Sequence, residues 1–154
     1  MGTERFSFAR LVRAVDDAAP TLDDAVFGQI GASDHEPENF EFERLVPFDR
    51  MRGLIESADR VVCHAGAGTT LLAIASGHVP IVVPRLARFG EHVDDHQLPF
   101  AEHLAERGLV LFARDEHAAC EMLPLAPRRG EWRRRRTDTE LADWLWDFVR
   151  RPAA

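Results

Sequence analysis

His64 closes an apolar run, Val61-Val62-Cys63. Four small residues follow it, Ala65-Gly66-Ala67-Gly68, and then two threonines, Thr69 and Thr70. Residues of these types in this order can gather an anion. Small side chains let a ligand reach the backbone, a strand-to-helix turn leaves the first N–H groups of the helix unpaired, and the helix dipole adds positive charge there. Gly66 and Gly68 are expected to take positive φ, and Thr69 and Thr70 to add hydroxyl donors. Phosphate or pyrophosphate is the chemistry such a turn suits. The blander reading is a turn without a ligand, for which a single glycine ordinarily suffices. The two commonest nucleotide motifs do not fit. A Walker A loop needs Lys after its last glycine, where Thr69 stands, and G-x-G-x-x-G fails at its third glycine, where Leu71 stands. No acidic residue ends a strand at the spacing that would hold a ribose.

A second group is Arg88 to Gln97, Arg-Phe-Gly-Glu-His-Val-Asp-Asp-His-Gln, which packs Glu91, His92, Asp94, Asp95, His96 and Gln97 together. It follows the next strand and so opens on the same sheet edge as the glycine turn. Histidines and carboxylates suit zinc or manganese. They suit hydrogen bonding to a polyhydroxylated ligand equally, and a solvated loop is the plain alternative. The metal reading is not adopted, because the ligands crowd one segment and no second cluster completes a shell.

The elements that must position these groups can be read from periodicity. Helices are predicted over 6–19, 50–57 (capped by Asp49), 70–76, 95–107 and 115–123, and strands over 25–31, 42–46, 61–63, 80–84 and 109–112. Strands that do not alternate, separated by helices, mean a parallel sheet covered on both faces. The fold class is therefore α/β: a single open, mostly parallel sheet with helices on both faces. Residues 1–127 form this domain, and residues 128–154 an arginine-rich linker and an amphipathic helix with Leu141, Trp144, Leu145 and Phe148 on one stripe. A fold of this kind ordinarily opens on a strand, whereas Gly2-Thr3 leads straight to a helix; either the first strand lies upstream of Gly2, or another element fills its place.

Composition bounds the rest. The 154 residues fit one domain with a real core, and the net charge of −7 argues against nucleic acid as the partner. Six arginines between 128 and 136 read as a solvated linker or as a contact for acidic headgroups. Cys63 and Cys120 read as free thiols in a reducing cytoplasm. No run is long and apolar enough for a membrane span, and the N-terminus lacks a signal-peptide pattern, so a cytoplasmic location is expected.

Together, His64-Ala-Gly-Ala-Gly-Thr-Thr and Phe89-Gly-Glu-His-Val-Asp-Asp-His-Gln97 resemble the C-terminal, donor-binding domain of family 28 glycosyltransferases. The likeness is strongest to the small single-domain members, the catalytic subunits of two-part UDP-N-acetylglucosamine transferases and their bacterial exopolysaccharide counterparts. It runs from Gly2 to about Phe112 and includes Gly2 to Asp17 and Phe48 to Thr69. The resemblance implies a Rossmann-like half of a GT-B enzyme. It implies a UDP-sugar donor of the N-acetylglucosamine or glucuronate class, and a lipid-linked acceptor held by a separate membrane-anchored subunit. The chain would then sit at the inner face of the membrane through that partner, with no cofactor, no metal and no nucleic acid. His64, Gly66, Ala67, Gly68 and Thr69 would cradle the pyrophosphate. Thr3 would lie on a second phosphate-side loop, and Glu91, His96 and Gln97 would face the donor sugar. Pro47 and Phe48 would lie near the uracil. The family's ribose-holding Glu is replaced by Leu72. No residue is singled out as the catalytic base. A non-catalytic nucleotide-sugar-binding or scaffold protein is the alternative, and a metal-dependent hydrolase a third reading.

Overall fold

The computed structural model describes residues 6–131; Gly2, Thr3 and the C-terminal helix expected over the tail lie outside them. In chain order the helices are α1 (Ala9–Ala18), α2 (Phe48–Ser57), α3 (Ala67–Ala75), α4 (Gln97–Glu106) and α5 (Glu116–Met122). The strands are β1 (Phe27–Gln29), β2 (Glu41–Glu43), β3 (Val62–His64), β4 (Ile81–Val83) and β5 (Leu111–Phe112). All strand pairs are parallel. The strands form two ladders, β1-β2 and β3-β4-β5, where one continuous sheet was expected.

The central strand explains the layering. Ile81, Val82 and Val83 are each at most 1% exposed, as an apolar strand buried on both sides must be. Successive side chains point to opposite faces. Ile81 and Val83 join Phe8, which precedes α1, Leu11 of α1, Ala119 of α5 and Leu123 in one cluster. Val82 joins Cys63, Ile74 of α3, and Ala101 and Leu104 of α4 in the other. Helices thus cover both faces. On the second side, Ile55 of α2 packs on Leu72 and Ala73 of α3.

Polar anchors fix the connections. Asp16 of α1, 3% exposed, accepts the backbone N–H groups of Glu38 and Asn39 and contacts His35 Nε2 at 2.9 Å. Burial alone would raise its pKa, but these donors outweigh it and hold the carboxyl below its ordinary value. The predicted loop over 32–41 is pinned in this way. Asp115 caps α5 by accepting from Ala118 N, as expected, whereas α2 begins at Phe48 without a side-chain cap, so Asp49 lies in its first turn. The arginine-rich segment starts folded. Arg128 pairs with Asp24 and Asp59, and Arg129 donates to the carbonyls of Ser76 and Glu56.

Candidate functional site

β3 delivers His64 to the carboxyl edge of the sheet. Helix α3 starts at Ala67, three residues earlier than its predicted start at Thr70, with Gly66 as N-cap. The first intrahelical N–H bond at this end runs from Thr70 to the Gly66 carbonyl. The N–H groups of Ala67, Gly68 and Thr69 therefore form the open first turn, where an anion is best held.

The glycines serve this turn differently from the expectation. Neither Gly66 nor Gly68 has positive φ; Gly66 sits at φ −84° and Gly68 is helical. Space is what they provide. A Cβ on Gly66 would collide with the His64 ring, while a Cβ on Gly68 would meet no other protein atom within 4 Å. Thr69 is half-buried at the turn, but Thr70 is fully buried. Its hydroxyl lies 3.4 Å from the His64 carbonyl and 3.8 Å from Cys63 Sγ. Thr70 thus braces the strand end, and the expected second hydroxyl donor to a ligand is used inside the fold.

His64 is 5% exposed, and its Nδ1 has no hydrogen-bond partner. Burial first, and then positive charge that includes Arg85, pushes its pKa down to about 3. The imidazole is neutral at pH 7. Next to it, burial pushes the Cys63 thiol up to about 11, which leaves it an inert core group.

The loop after β4 lies on the same edge, and its Glu91 and Gln97 side chains turn inward. Glu91 is 4% exposed. Its carboxylate accepts from Arg10 Nε at 2.7 Å and Nη2 at 3.1 Å, and from Leu86 N at 3.1 Å. Arg10 also donates to Glu116 and to the Pro84 carbonyl. Gln97 is 2% exposed, and its Oε1 accepts from Arg85 N. Arg85 itself is 1% exposed and donates to the carbonyls of Phe6 and Glu91. Glu91 and Gln97 thus set the loop's shape, while His96 is exposed. Arg10 and Arg85 are members of this site that sequence reasoning missed. Their spacing from Glu91, 81 and 6 residues, carries no local pattern that would have found both.

His92, Asp94 and His96 converge, with one ligand atom from each within 4.8 Å of the others; among the described residues no other such group occurs. Asp94 accepts from His96 N at 3.2 Å and is in contact with its ring. That histidine holds the Asp94 carboxyl below its ordinary value. Leu72, where a ribose-holding acid was looked for, is 4% exposed and packed into the α2–α3 contact.

Comparison with known proteins supplies a family frame. The model of the glycosyltransferase family 28 C-terminal domain matches residues 2–117. Among curated proteins, the chain is similar to a UDP-N-acetylglucosamine–N-acetylmuramyl-(pentapeptide) pyrophosphoryl-undecaprenol N-acetylglucosamine transferase of Burkholderia thailandensis. The two are 34% identical over 141 residues, 84% of this chain and 36% of the relative. The protein of the same name from Burkholderia cenocepacia is 36% identical over 101 residues, 65% of this chain and 25% of that protein. The chain thus spans about a third of the length of these relatives.

Proposed function

The chain belongs to glycosyltransferase family 28, through its C-terminal domain, and from that premise we propose that it is the donor-binding, catalytic part of a UDP-sugar-dependent glycosyltransferase. The donor is of the UDP-N-acetylglucosamine or UDP-glucuronate class, and the acceptor is a lipid-linked sugar. The acceptor half is a separate membrane-anchored subunit, which brings this chain to the cytoplasmic face of the membrane. The observation that carries the reading is the cradle. An open helix N-terminus of three N–H groups, a buried neutral His64 with a free Nδ1, and open space at the Cβ position of Gly68 meet on one sheet edge.

In the reaction, an acceptor hydroxyl attacks the anomeric carbon, the bond from that carbon to the diphosphate oxygen breaks, and UDP leaves. The diphosphate gains negative charge as it departs. The N–H groups of Ala67, Gly68 and Thr69 and the dipole of α3 are oriented for that charge before the reaction starts, which is the economical way to stabilise it. His64 Nδ1 can add a hydrogen bond in the tautomer that places the proton there. The exposed His96 and the loop braced by Glu91 and Gln97 border the donor sugar. Thr3 is assigned to the phosphate side by the family resemblance alone.

Reconstitution tests the reading. The chain is combined with its candidate membrane partner, a lipid-linked acceptor and a panel of UDP-sugars, and UDP release is followed. Release that needs both partner and acceptor is expected. Buried Leu72 favours a second reading, a nucleotide-sugar-binding protein without turnover, since a ribose contact is absent there. UDP-sugar binding without release under any combination would establish that second reading instead.

A further inference from the structure

The loop after β4 sorts its polar side chains by position. Glu91, Asp95 and Gln97 hold the loop's own backbone. Their side-chain oxygens accept from the N–H groups of Leu86, Ala87 and Arg85 at 3.1, 2.7 and 3.1 Å. His92, Asp94 and His96 take no part in this brace. Asp94 Oδ1 stands between the two imidazoles, 3.5 Å from His92 Nδ1 and in contact with His96 Nδ1. The two rings meet edge to face with centroids 4.6 Å apart, and the His92 ring also lies against Phe6. Among the described residues the ion-pair partners of Asp94 are these two histidines, and no arginine neutralises it.

We propose that His92, Asp94 and His96 form a site for one divalent transition-metal ion of the zinc class.

The donor set selects the ion. Two imidazoles and a carboxylate suit zinc and its first-row neighbours, whereas magnesium and calcium ask for oxygen ligands. Around a tetrahedral zinc, neighbouring ligand atoms stand roughly 3.3 Å apart. Here one ligand atom from each residue lies within 4.8 Å of the others. The side chains of Asp94 and His96 are each 59% exposed, so small rotations close the difference, while that of His92, 13% exposed, is the fixed point. In the sequence, the crowding of these ligands into one segment spoke against a metal. The folded loop answers that objection, because the bends over 91–95 bring alternate residues together on one side. A second cluster is not needed either. Three protein ligands with an open fourth position are a complete set for a zinc ion that also takes water or a ligand oxygen. The brace by Glu91, Asp95 and Gln97 supplies the outer support that holds such ligands in place.

The full chain, free of any affinity tag and stripped with a chelator, is titrated with Zn²⁺ by calorimetry and with Co²⁺ by visible absorbance, both without nucleotide. One ion per chain is expected to bind at micromolar concentration or below, with the strong absorbance of four-coordinate cobalt. Asp94→Asn and His96→Gln should each weaken binding roughly a hundredfold. Both positions are exposed, and the metal-free Tm of each variant checks that it is folded. His117→Gln, at an exposed histidine outside the cluster, should leave the affinity unchanged. A large excess of Mg²⁺ should not displace the ion. Zn²⁺ at a hundred times its Kd should raise Tm by roughly 5–10 °C, and by far less in Asp94→Asn. UDP binding is measured separately in chelator, so the metal site and the UDP reading can fail apart. No binding below millimolar concentration would overturn the proposal and leave a carboxylate hydrogen-bonded between two imidazoles. So would undiminished affinity in both variants, which would put the ion elsewhere, or one ion per two chains, which would make it a bridge between copies.

Discussion

His64 is the residue at which fold and chemistry meet. It is buried as a neutral ring, and this burial has a pH signature. The unfolded imidazole takes a proton below about pH 6.5, the folded one only below about 3. Between these values the unfolded chain binds more protons, so stability falls as pH drops through 6.5 and does not fall for this reason above it. The loss at pH 5 is about 2 kcal/mol. Urea unfolding of the wild type and of His64→Gln at pH 7.5 and pH 5 should show a smaller pH effect in the variant. An identical loss in both would mean that the folded ring titrates normally. Gly68 makes a sharper test of the cradle. Its backbone is helical and its Cβ direction is empty, so Gly68→Val should keep or slightly raise stability, since Val is the better helix former. The added methyls would stand in front of the first-turn N–H groups. UDP affinity should drop by roughly a hundredfold, about 2.7 kcal/mol. Calorimetric titration reading the same Kd for both proteins would remove the turn from the binding site.

The elements of this chain were legible because their sequence signals are local. The apolar runs at Val61 and Pro80 and the 3.6-residue stripes of α1 and α2 each report their own backbone. The glycine turn was legible as a turn for the same reason. Its mechanism was not, because whether Gly66 is needed for φ or for space depends on where the His64 ring lies. Glu91 and Gln97 were legible as members of the loop after β4. Their inward orientation depends on Arg10 and Arg85, and only the folded chain brings Arg10 to that loop. This brace yields an element-scale prediction. The Arg10 side chain is 15% exposed and sits between the side chains of Glu91, 6% exposed, and Glu116, 19% exposed. Removing it leaves two largely buried carboxylates without their cation, which costs about 3 kcal/mol or more. Arg10→Ala should therefore be strongly destabilising in urea, and adding Glu91→Gln should recover part of the loss, because the stranded charge is then gone. Additive losses in that double-mutant cycle would show that the pair does not act as a unit.

At the scale of the molecule, α1 and α5 cover one face of the β3-β4-β5 ladder, α3 and α4 cover the other, and the loops after β3 and β4 open on one edge. A nucleotide held there touches elements from both layers, α3 through its N-terminus and α1 through the Arg10–Glu91 brace on the loop. Its binding energy is then felt by the whole cooperative unit. A ligand that binds only the folded state stabilises it by about 2.7 kcal/mol at a hundred times its Kd. For a domain of this length each kcal/mol raises Tm by roughly 2–4 °C. Saturating UDP should therefore raise Tm by roughly 5–10 °C, and the shift should vanish in Gly68→Val. Inorganic pyrophosphate carries the charge of the diphosphate but no uridine, so it should give a smaller shift at the same concentration. If pyrophosphate matched UDP, the edge would be an anion site without nucleoside recognition. If neither moved Tm while both proteins remained folded, the cradle would not be a nucleotide site in this chain.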